Sequence, residues 1–101
     1  MEGLEMTCFE IISAVGSARS CYVEAIQAAK KGDFNKATNL MSEGKKLFQD
    51  GHKFHKVLIE NESSGKKVEA GLLLIHSEDQ MMSAEVLEIM AREIIELYRN
   101  K

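Results

Sequence analysis

The residues best suited to chemistry in this sequence form a short polar island inside an apolar stretch. His76, Asp79, Gln80 and Ser83 are preceded by Leu72-Leu73-Leu74 and followed by Val86, Leu87 and Ile89. Counted from His76, the others come three, four and seven residues later, so on a helix they share one side within about two turns. Polar groups in an apolar seam cost desolvation energy unless they are paired or bind something. An imidazole at such a place can be a nucleophile whose tautomer is fixed by polar neighbours. The blander reading is a core histidine bonded to Gln80 or Asp79. A carboxylate on the apolar seam of a helix near a symmetry axis meets its own copies. At ~4 Å and an effective dielectric of ~20, each like-charged pair repels by about 4 kcal/mol. Either the copies of Asp79 share protons or a cation sits between them. Oxygen-only ligation with room for water suits Mg²⁺ better than Zn²⁺.

Other residue types with chemical potential are less telling. His52 and His55 share one face of a helix and could join His76 in a three-histidine zinc site, but no HExxH frame supports one. Cys8 and Cys21 fall in a single helix, roughly 20 Å apart, beyond disulfide reach. They read as small buried thiols. The pairs Lys30-Lys31, Lys45-Lys46 and Lys66-Lys67 lack the Gly-rich surroundings of a phosphate cradle and read as solvated faces. Met81 and Met82, beside the island, suit an adaptable docking rim.

The elements that must position the island are helices. The chain has 101 residues with no proline and no tryptophan, 45% hydrophobic and 29% charged, which suits one uninterrupted all-α domain over residues 1–101. The net charge of −3 argues against nucleic acid as a partner. The acidic start, without a basic n-region, and the lack of a long apolar run predict a cytoplasmic protein. Gly32 suits a helix C′ position and Asp33 the following N-cap. Asn61 to Lys67 forms a second polar break. The prediction is therefore an antiparallel three-helix bundle with helices over 4–31, 34–61 and 67–99.

Steps of three and four support it. Leu4, Cys8, Ile11, Val15, Ala18, Tyr22, Ala25 and Ala29 form the seam of the first helix. Phe34, Ala37, Met41, Gly44, Phe48, Gly51, His55 and Leu58 form that of the second, with Gly44 and Gly51 marking close approach of backbones. The third helix carries two rows: Val68, Leu72, Ile75, Asp79, Met82, Val86 and Ile89, and beside it Leu73, His76, Gln80, Ser83, Leu87, Met90, Ile94 and Leu97. One stripe docks a helix onto its own bundle. A second implies a partner surface, and hence a homo-oligomer with third helices near the axis.

The run Leu72-Leu73-Leu74-Ile75-His76-Ser77-Glu78-Asp79-Gln80-Met81-Met82 resembles a motif of the lactose/cellobiose-type IIA components of the bacterial phosphoenolpyruvate-dependent sugar phosphotransferase system. There an aliphatic run precedes His-Ala-Gln-Asp-His-Leu-Met. Gly51-His52 matches an Ala-His pair, Glu62 to Gly65 a Glu-rich second loop, and Lys31-Gly32-Asp33-Phe34 the break after the first helix. The resemblance spans nearly the whole chain. It implies a homotrimer, a nine-helix bundle, with His76 phosphorylated by phospho-HPr and the phosphate passed to a cysteine of the cognate IIB component, which serves the membrane IIC. It also implies that three copies of Asp79 hold one Mg²⁺-like ion.

Three departures from the family pattern stand out, at five positions. Gln80 replaces the second histidine and can support the site by donating a hydrogen bond to a phosphoryl oxygen, without a charge of its own. Ser77 and Glu78 replace Ala and Gln, with Glu78 expected to face solvent. His55-Lys56 stands where Gln-Thr is usual. Two alternatives stand beside the phosphotransferase reading. One is a histidine phosphotransfer domain of a two-component relay, whose His-x-x-Lys-Gly context is missing here. The other is a non-catalytic helical adaptor.

Overall fold

A computed structural model describes residues 3–101. Among the described residues the regular structure is three helices, α1 (Gly3–Lys30), α2 (Phe34–Ser63) and α3 (Leu72–Arg99). They form an antiparallel bundle of 51 × 21 × 20 Å. Among the described residues no helix is long and apolar enough to cross a membrane.

The expected breaks fall where the chain's chemistry puts them. Gly32, at φ +83°, closes α1. The Asp33 amide donates to Ala28 O and the Gly32 amide to Ala29 O, the paired bonds of a Schellman end. Asp33 then caps α2 by accepting from the Lys36 amide at 3.1 Å. Gly65, at φ +90°, ends α2 in the same manner, with the Lys66 amide donating to Asn61 O. The third helix starts later than its expected residue 67. Lys66 and Lys67 would place two cations at the positive end of a helix dipole. The chain stays irregular until Gly71, an extended N-cap whose missing side chain leaves the first-turn amides uncapped.

The α1 seam is buried almost throughout, both cysteines are buried free thiols, and the α2 row alternates buried and half-buried positions as its spacing predicts. α1 is the central helix. Both others lie along it and touch each other much less.

The expected docking of α3 needs correction. The row from Leu72 to Ile89 faces outward, with Leu72 83% and Val86 60% exposed, and Val68 precedes the helix. The second row is half-buried at best. The helix docks through a third row, Ser77, Met81, Ala84, Ala91 and Ile95. Small side chains at Ser77, Ala84 and Ala91 let α3 lie close to α1, so proximity rather than bulk sets this face. Met81 belongs to that core, so only Met82 of the expected docking rim is exposed.

Candidate functional site

The polar island occupies the first three turns of α3, and the fold sorts its members by partner. Ser77 is fully buried and its hydroxyl donates to Leu74 O at 2.8 Å. Gln80 is half-buried, and its Oε1 accepts from Arg19 Nη1 of α1 at 2.5 Å. Glu78 keeps 43% of its side chain exposed, so the expected solvent-facing position holds in part. Its carboxylate meets His55 Nε2 of α2 at 2.7 Å, so the charge is drawn sideways into a contact between α2 and α3. His76 and Asp79 are exposed and have no side-chain hydrogen bond or ion pair among the described residues. Ser83 is half-buried beside Met82 and Leu87.

The two exposed groups, His76 and Asp79, differ in setting. Asp79 sits on the outward apolar row, between exposed Ile75 and Met82. His76 lies a turn before Gln80, beside the uncapped start of α3. Side chains on a helix tilt toward its N-terminus, so the imidazole lies over the first turn, where free amides and the positive dipole end favour an anion.

The remaining histidines lie apart from it. His52 is exposed on a groove with Tyr22, Phe48, Glu85 and Glu88, while His55 is committed to Glu78. Among the described residues no three His, Cys, Asp or Glu side chains gather in a metal-binding group within one chain. A three-histidine zinc site therefore has no geometry here.

Sequence reasoning passed over Arg19. It is the only Lys or Arg before Lys30, set in a run of small residues, Gly16-Ser17-Ala18-Arg19-Ser20. A single cation well inside an otherwise apolar and acidic helix, far from the Lys30 at its end, was the available signal.

Residues 6–99 match the family model described as the lactose/cellobiose-specific IIA subunit of the PTS system. The chain belongs to that IIA family. It is similar to the lichenan-specific phosphotransferase enzyme IIA component of Bacillus subtilis, at 40% identity over 96% of this chain and 88% of that one. The cellobiose-specific enzyme IIA of Bacillus anthracis superposes with a TM-score of 0.97, at 37% identity, covering 99% of this chain and 92% of the other. The Escherichia coli chitobiose IIA, solved in complex with HPr, gives a TM-score of 0.84 at 29% identity over 99% and 97% of the two chains. This IIA chain is thus a component of a sugar phosphotransferase system, and the two-component reading is set aside.

Proposed function

We propose that this IIA protein carries a phosphoryl group on His76. An imidazole nitrogen of His76 attacks the phosphorus of phospho-histidine on HPr. The P–N bond to HPr breaks as a new P–N bond forms, and the reverse sense of the same chemistry delivers the group to a cysteine thiolate of IIB as a P–S bond. One observation carries this reading: where the neighbouring Ser77, Glu78 and Gln80 have partners, His76 is exposed, unpaired and beside an uncapped helix start. Such transfer needs alignment and charge stabilisation more than covalent help. Gln80, one turn on, supplies a neutral donor for a phosphoryl oxygen. That a relative was solved with HPr supports HPr as donor.

The same reading includes a homotrimer through the outward row of α3. Soluble monomers rarely leave a contiguous apolar face of this kind uncovered. Three copies of Asp79 would then meet on the axis. Their oxygens suit a hard divalent cation, which when bound offsets the repulsion of the carboxylates. Asp79 fits that role because, among the described residues, no cation pairs with it.

Incubation with phosphoenolpyruvate, enzyme I and HPr tests the reading. Wild type, His52→Ala and His55→Ala should take acid-labile phosphate, and His76→Ala should fold yet take none. Undiminished labelling of His76→Ala would refute the assignment.

A further inference from the structure

The geometry points to Arg19 as a positioning residue that sets which end of the Gln80 amide faces His76. This rests on His76 being the phospho-acceptor. The guanidinium has N–H groups only and cannot accept a hydrogen bond, so the Gln80 atom that meets it at 2.5 Å is the carbonyl oxygen. The amide NH₂ must then turn away from Arg19. Gln80 follows His76 by one helical turn, and its side chain leans toward the N-terminus of α3, over the turn that carries the imidazole. With its oxygen held by α1, the amide presents donors, not an acceptor, to a phosphoryl group on His76.

The contact does more than choose the orientation. Both Arg19 and Gln80 are half-buried, where a charged hydrogen bond is stronger than in water. The Arg19 charge polarises the amide and strengthens its N–H groups as donors. A neutral glutamine thereby passes on part of a positive charge that lies one residue further from the phosphate. Without Arg19 the amide is free to rotate, and its oxygen would oppose the anion in one of its two orientations.

Arg19→Met, Gln80→Met, the double variant and Arg19→Lys can be compared in the equilibrium of phosphate between HPr and this protein. The position of that equilibrium reports stabilisation of phospho-His76, which a merely structural residue would not alter in a folded protein. Arg19→Met and Gln80→Met should each disfavour the phospho-form by about tenfold, the typical effect of one charge-assisted hydrogen bond. The double variant should lose no more than Gln80→Met alone, and Arg19→Lys should recover most of the loss. Gln80→Glu keeps a partner for Arg19 but removes the donors. It should fold and disfavour phosphorylation more strongly than Gln80→Met, and it serves if Arg19→Met does not fold. Equilibria of Arg19→Met or Gln80→Glu equal to wild type, or losses that multiply in the double variant, would overturn the role of Arg19. If wild type takes no phosphate on His76, the phospho-acceptor reading fails first and this inference with it.

Discussion

Three Gly→Ala substitutions separate helix propensity from helix contact in this bundle. Gly16 on α1 and Gly44 and Gly51 on α2 are all interior to helices, so each change should gain about 1 kcal/mol of propensity. A Cβ at Gly16 meets nothing within 4 Å. A Cβ at Gly44 would stand 2.5 Å from Tyr22 Cε1, and one at Gly51 would stand 2.6 Å from Val15 Cγ1. Carbon atoms in contact prefer about 3.5–4.0 Å, so roughly 1 Å of displacement is required at either place. Neither neighbour gives way easily, because Tyr22 is 1% and Val15 0% exposed. Overpacking of this kind costs about 1–3 kcal/mol. Gly16→Ala should therefore stabilise by about 1 kcal/mol, whereas Gly44→Ala and Gly51→Ala range from neutral to about 2 kcal/mol destabilising. Urea midpoints at one fixed protein concentration give the comparison, since any self-association couples to stability. Gly51→Ala or Gly44→Ala as stable as Gly16→Ala would refute close helix approach as the reason for these glycines.

Two further outcomes follow from buried and exposed charge. Burial, then the charges of Glu88 and Cys21, push the Tyr22 phenol up to about 12, with Arg92 opposing. The unfolded phenol loses its proton near pH ~10, so the stability tied to this group is present below that pH and is lost as pH rises toward 12. Wild type should lose stability relative to Tyr22→Phe from pH 9 to pH 11 in urea titrations, and parallel curves would contradict it. Asp79→Leu extends the outward apolar row, so sedimentation should find the proposed trimer kept or tightened while metal content falls. A monomeric wild type, or metal retained by the variant, would defeat that part of the proposal.

What the sequence disclosed and what it hid follow from side-chain size and reach. The seams of α1 and α2 are built from a steady alternation of three and four, so Ile11, Val15 and Leu58 were legible as core. In α3 the same method favoured Leu72, Ile75 and Val86, the largest apolar groups, and these proved to face outward. Its true docking face uses Ser77, Ala84 and Ala91, whose low hydropathy hides them among polar neighbours. The island at His76 and Asp79 was visible because it breaks an apolar rhythm. Its supports were not, because Arg19 with Gln80 and His55 with Glu78 are cross-helix pairs that no spacing within one helix encodes.

These pairs explain how α3 can hold an exposed histidine without surrendering its position. The helix has three faces to serve: a close-packed one of small residues, an outward apolar one, and the polar one that bears His76. Only the first is fixed by burial. The polar face, which the proposed exchange with partners would need open, gains its rigidity from side chains reaching across from α1 and α2. Arg19 holds Gln80 from α1 and His55 holds Glu78 from α2, bracketing the turn that carries the imidazole. Larger aliphatic residues at 78 and 80 would anchor the helix by burial, but they would also cover His76, the proposed nucleophile. Polar anchors from neighbouring helices fix the backbone at His76 while leaving its approach wet and uncrowded, as the proposed role of taking and releasing a phosphoryl group would require.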